Sequence, residues 1–251
     1  MNRNSILLGR AFGIPIRAHI LLVLFLPILA MIYSNSFVIG LVLVIGVFTS
    51  VALHELGHSV VAIRKGCHVQ EIMLSPIGGV AKISGLPSHP LDEFQIAIAG
   101  PAVSLTLGII GILSGSPLLG VIGVINLFLF GFNLLPCFPM DGGRILRSFL
   151  AARRGRVEAT RIAIQVGKYF CIFFIISGLL KMQFLLAFIG FYIYQAGQQE
   201  YRMVLMEHQA TPFSGGFQTG NIDVEVSPPP YEGRRTRDES LAEKLRRLFR
   251  S

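Results

Sequence analysis

Two long stretches without Asp, Glu, Lys or Arg organise the chain: Ala18 to Leu53, 36 residues, and Phe94 to Met140, 47 residues. One helix over the first would be about 54 Å long, against a hydrocarbon core of about 30 Å. The run must therefore fold back, and Ser34-Asn35-Ser36 is the turn. Ser114-Gly115-Ser116-Pro117 divides the second run, and Lys181-Met182-Gln183 divides a third apolar region over 162–199. The pattern predicts six membrane spans, near 13–33, 37–62, 93–113, 118–136, 162–180 and 184–200. The expected fold is an all-α polytopic membrane protein. Between spans two and three, Ile72, Leu74, Ile77, Val80 and Ile83 surround Pro76 and Gly78-Gly79 and make a poor helix. Residues 71–85 read as a short membrane-associated β or re-entrant segment, or as an interfacial linker with turn glycines.

Composition agrees with lipid as the solvent. Of 251 residues, 14% are charged and 52% hydrophobic, whereas soluble domains carry about 25% charged residues. Disorder throughout, a nucleic-acid-binding surface and, with 3 cysteines, a disulfide framework are excluded. The net charge of +8 is a topology signal. Arg3, Arg10 and Arg17 precede span one, Arg64 and Lys65 follow span two, and Arg144, Arg147, Arg153, Arg154 and Arg156 follow span four. The turns after spans one and three hold no Lys or Arg. Both termini, and the ends of spans two and four, are thus expected on the cytoplasmic side of a cell membrane, a bacterial inner membrane fitting best. No small-x-small site follows the first apolar stretch, so that span is expected to stay rather than be removed as a signal peptide. Residues 201–251 read as a cytoplasmic tail, mostly disordered, with a PPxY pattern at Pro228 to Tyr231. An amphipathic helix over 238–250 is an alternative to a solvated end.

Charge inside an apolar span is costly and points to function. His54-Glu55-Leu56-Gly57-His58 ends span two. On a helix, positions i and i+4 share a face, so both imidazoles can bind one Zn²⁺ while the Glu between them reaches water. The chain's own frequencies give a chance expectation of about 0.006 such matches. The alternative is an ion or proton path in a transporter. A catalytic zinc still needs a third protein ligand. Asp141 is the only acid between Glu93 and Glu158, and it directly follows span four. The distribution of Lys and Arg puts the ends of spans two and four on one side, at similar depth.

The sequence HELGH on an apolar helix, followed by Asn133-Leu134-Leu135-Pro136-Cys137-Phe138-Pro139-Met140-Asp141-Gly142-Gly143, resembles the site-2 protease family of intramembrane zinc metalloproteases. The resemblance covers roughly residues 8–200, including Gly13 to Arg17, Pro76 to Gly79 and Ala99-Gly100-Pro101. It implies one Zn²⁺ held by His54, His58 and Asp141, with Glu55 as catalytic acid and base. It further implies that Asn133, Gly78 and Gly79 contact substrate or the developing oxyanion. Residues 71–85 would correspond to the family's membrane-associated β element, whose edge could capture unwound substrate. The implied partners are a transmembrane substrate and the bilayer, with the site opening to the cytoplasm. Ser104 replaces the Asn many members carry, and Met140 replaces Leu; neither is expected to touch the ligands. No inserted PDZ or appended CBS domain is legible. His19, His68, His89 and His208 are expected to be structural, Cys137 a buried apolar thiol, and Arg144 and Arg147 headgroup anchors.

Overall fold

Apolar runs become helices, and the segments with period-two alternation become one sheet. The computed structural model describes residues 4–210, apart from Ile77, Leu86 and Ser88. The PPxY pattern and the helix considered for 238–250 lie outside the described residues. The order is β1 (Ser5–Ala11), β2 (Ile14–His19), α1 (Ile20–Tyr33), α2 (Phe37–Arg64), β3 (His68–Ser75), β4 (Gly78–Ser84), α3 (Pro90–Leu113), α4 (Pro117–Asn133), α5 (Asp141–Arg154), α6 (Arg156–Leu180) and α7 (Phe184–Ala210).

Helix starts follow local chemistry. His19 and His89, two of the histidines without a motif partner, cap α1 and α3 by accepting from Leu21 N and Leu91 N (3.3 Å each). Pro90 and Pro117 stand in the first turns of α3 and α4, where the missing N–H has no cost. Helices α1, α2, α3, α4, α6 and α7 overlap the six expected segments in position, but α7 is not apolar enough throughout to count among the candidate spans. Among the described residues, α2, α3 and α6 are long and apolar enough to cross a membrane, while α1 and α4 are shorter apolar helices.

The structure is mostly helical, and the short β segment expected between spans two and three is part of a larger sheet. A four-stranded sheet runs in the order β1-β2-β3-β4, with β1/β2 and β3/β4 antiparallel and β2/β3 parallel. Residues 71–85 are therefore not an isolated element, because the sheet extends to the N-terminal hairpin. Span one, expected from residue 13, begins as helix only at Ile20. The reason lies in β2: Ile14 and Ala18 are buried with Ile72 and Leu74, and pairing with β3 satisfies backbone groups on that side. Arg17, between them, lies 3.8 Å from Glu71. The sheet's buried face meets α2 through Ala62 and α3 through Ile96. Helix α5 was not anticipated, because its Gly and Arg content resembles a cytoplasmic loop. Its burial of Asp141, Gly142, Gly143, Arg147 and Ser148 is tertiary in origin.

Candidate metal centre

His54 and His58 lie one turn apart on α2, and both are buried at 4% exposure. Asp141 is the first helical residue of α5, where the N-terminal backbone dipoles favour a carboxylate. Reaching the centre takes a tight approach: a Cβ on Gly142 would lie 2.3 Å from the carbonyl oxygens of Leu134 and Leu135. Glycine there lets α5 start against the end of α4.

The three ligand atoms form an equilateral triangle. His54 Nε2 to Asp141 Oδ2, His58 Nε2 to Asp141 Oδ2 and His58 Nε2 to His54 Nε2 are each 3.2 Å. Ligand atoms about 2.0–2.1 Å from a tetrahedral zinc would be about 3.3 Å apart. The outer ring nitrogens are already engaged. His58 Nδ1–H donates to Ile96 O (2.7 Å), which fixes the tautomer and leaves Nε2 as a lone pair. His54 Nδ1 lies 2.8 Å from Ser104 Oγ. With the His58 proton committed to Ile96, neutral His58 meets Asp141 acceptor to acceptor, and a cation resolves that contact. Space for one exists because residue 100 has no side chain: a Cβ there would lie 2.1 Å from His58 Nε2 and 2.7 Å from His54 Nε2. His54, His58 and Asp141 can therefore hold one metal ion, and the donor set fits zinc.

Glu55, between the ligands on α2, accepts from the backbone N–H of Ala81 in β4 (3.2 Å). Gly79 packs on the same side chain, where a Cβ would meet Glu55 Cγ at 2.7 Å. Gly78 opens β4 with a φ of 140° and its carbonyl accepts from Ser75 Oγ (3.0 Å). Asn133 ends α4, and its Nδ2 donates to Leu129 O one turn back (3.0 Å), within its own helix. Of the residues implied by resemblance, His54, His58 and Asp141 thus come together, Glu55 and Gly79 adjoin them through α2 and β4, and Asn133 is engaged by its own helix.

Two expectations are corrected. Ser104 does touch the ligand set, through His54. Arg147 is no headgroup anchor: it is buried between Glu93 and Glu200. Gly100 and Ser104 share α3, and their only sequence signal was the Ala-Gly-Pro motif with a small polar residue one turn later. Cys137 is fully buried beside Met140, and burial pushes its thiol up to about 12, which suits a packing role and not a metal ligand.

The comparisons agree with this centre. The model of peptidase family M50 matches residues 42–118 and 114–176. A zinc metalloprotease of Methanocaldococcus jannaschii is 42% identical over 213 residues, which cover 81% of this chain and 62% of the relative. The solved structure of a site-2 protease from the same organism superposes with a TM-score of 0.61 at 42% identity, covering 79% of this chain and 95% of that one. Stage IV sporulation protein FB of Bacillus subtilis is 28% identical over 134 residues, or 49% of this chain and 45% of the relative. The chain spans 50% to 62% of the length of three curated relatives from an archaeon, a cyanobacterium and a mycobacterium. On the family match and the structural likeness together, this chain belongs to peptidase family M50, as a relative of the site-2 proteases.

Proposed function

We propose that the chain is a zinc-dependent intramembrane endopeptidase that hydrolyses a peptide bond in or near the transmembrane segment of a membrane-protein substrate. The observation that carries this reading is the 3.2 Å triangle of His54, His58 and Asp141 with Glu55 on the same helix. Zinc held by His54, His58 and Asp141 would supply a lowered pKa for water and polarisation of the scissile carbonyl. Glu55 accepts the proton of the attacking water as its oxygen bonds to the carbonyl carbon. It then delivers that proton to the amine nitrogen as the C–N bond breaks. Asn133, beside the loop that delivers Asp141, is the candidate donor to the oxyanion, once its amide leaves Leu129.

A substrate helix hides its peptide groups in its own hydrogen bonds and has to unwind before attack. Strand β4 supports a way to hold the unwound segment. It is an edge strand, it lies against α2, and the N–H of Ala81 points to Glu55 and away from β3. A segment added to that edge would lie beside the catalytic carboxylate. Gly78 and Gly79 keep this stretch of β4 free of side chains.

Six spans, formed by α1, α2, α3, α4, α6 and α7, with both termini and the site's opening on the cytoplasmic side, complete the proposal. The distribution of Lys and Arg supports that orientation. Residues 1–200 would form the protease region and 201–251 a cytoplasmic tail. Release of a membrane-tethered regulator and clearance of signal-peptide remnants both fit such a site. Transport, which the intramembrane His and Glu alone would also allow, gains no support from membership in a peptidase family.

The test is cleavage of a co-expressed single-span substrate by wild type and Glu55→Gln, with zinc quantified in both. The Gln variant should retain zinc and lose cleavage; normal cleavage by it would overturn the mechanism.

A further inference from the structure

Arg147 sits six residues after Asp141 on α5, about 240° further round the helix at ~100° per residue. Its side chain is 2% exposed. Nε donates to Glu93 Oε1 at 2.8 Å, Nη2 donates to the same oxygen, and Nη1 donates to Glu200 Oε1 at 2.5 Å. The guanidinium carbon stands 4.9 Å from the ring centroid of Phe138. One residue therefore bridges α5, the start of α3, the middle of α7 and the loop before Asp141.

Two of those contacts lead to a ligand. Phe138 is three residues before Asp141, in the loop that delivers it. Glu93 is three residues before Ile96, whose carbonyl orients His58. Stability alone is a poor reason for this arrangement, because a well-packed apolar side chain commonly holds helices together as well as a buried ion network. What the network adds is direction. A planar guanidinium with its donors fixed in a fork sets both the distance and the rotation of α5. A metal centre needs that, since its ligands work only within about 0.5 Å of their geometry.

We infer that Arg147, held by Glu93 and Glu200, is a positioning residue that fixes Asp141 as the third metal ligand and the start of α3 as the support of His58. The inference rests on the ligand set given above. Helix α5 is held at Asp141 by the centre itself and at Arg147 by this ion cluster, so it cannot rotate without breaking one of them. Because Glu200 belongs to α7, the position of that helix is transmitted to the metal.

The experiment uses the purified full chain, stripped of metal and reloaded with cobalt(II). It reads the visible ligand-field spectrum, the metal affinity by chelator competition, and the helix content. Arg147→Lys and Glu93→Gln should shift the cobalt spectrum and weaken metal binding about 10–100-fold, as loss of a ligand's support does elsewhere, with helix content kept. Glu200→Gln should move both readouts in the same direction but less, because its carboxylate is 26% exposed against 9% for Glu93. If Arg147→Lys and Glu93→Gln lower only the thermal midpoint, with spectrum and affinity within about twofold of wild type, Arg147 merely holds helices together and the inference is overturned. Should Arg147→Lys fail to fold, the two Glu variants decide by the same criteria. Asp141→Asn separates the two levels. A collapse of affinity there with none in the Arg147 or Glu93 variants sinks only the positioning role, whereas unchanged affinity sinks the ligand assignment itself.

Discussion

Gly100 has no side chain because the metal centre leaves no room for one. A methyl group placed there would lie within 2.7 Å of both ligand nitrogens, so Gly100→Ala should give a folded protein with little or no bound zinc. Metal analysis alongside circular dichroism checks this, and a fully loaded variant would contradict the geometry. Ser104 works at one remove. Its hydroxyl orients His54, and a support of this kind typically changes metal affinity about 10–100-fold. Ser104→Ala should therefore release zinc to a weaker chelator than wild type requires, while Ser104→Asn, which restores a side chain able to bond Nδ1, recovers part of the difference.

At the scale of elements, β4 and α5 carry what the long helices do not. Ala81 is paired opposite Ile72, but its N–H serves Glu55 and not the ladder. Proline is tolerated at such outward positions of an edge strand. Ala81→Pro should thus leave the fold intact while lowering kcat/KM, because it removes the donor that Glu55 accepts from. An unchanged kcat/KM would show that this bond does not position Glu55 for catalysis. Helix α2 combines two tasks. Its Ser50, one turn before His54, accepts from Asn126 Nδ2 of α4 (2.9 Å), an interhelical bond worth roughly 0.6 kcal/mol in lipid. The ligand helix is thereby tied to α4 through a polar contact with no part in the chemistry.

For the whole molecule, the proposed metal would be a cross-link between helices far apart in sequence. Of the three residues proposed to hold it, two come from α2 and one from α5, so zinc bound there would stabilise the fold that brings them together. Chelation should lower the thermal midpoint, and zinc should restore it; a midpoint indifferent to metal would mean that the three side chains do not bind it together. Orientation belongs to the same scale. Reporters fused at either terminus should show activity only on the cytoplasmic side, with the opposite result for an insertion at Ser114 to Ser116. Reporter activity on the outer side at one terminus alone would give an odd number of spans and contradict the proposed six.

How much was legible without coordinates depends on the range of the forces involved. The apolar helices could be read because exclusion from water acts residue by residue along the chain. The HELGH motif could be read because its geometry is confined to one helical turn. Asp141 could be found as a candidate because acids are so scarce near it. Other features needed the tertiary structure. Strand β2 looked like the start of a span, since Ile14 and Ile16 are apolar in either setting, and only pairing with β3 decides between strand and helix. Arg147 looked like a snorkelling cation until Glu93 and Glu200, from helices distant in sequence, were found around it. Gly100 and Ser104 face the histidines only because α3 crosses α2 at that level. The sequence alone determined the solvent, the apolar elements and the donor types. Tertiary structure decided which donors converge and what orients them, because contacts between distant segments depend on how helices cross and not on any local pattern.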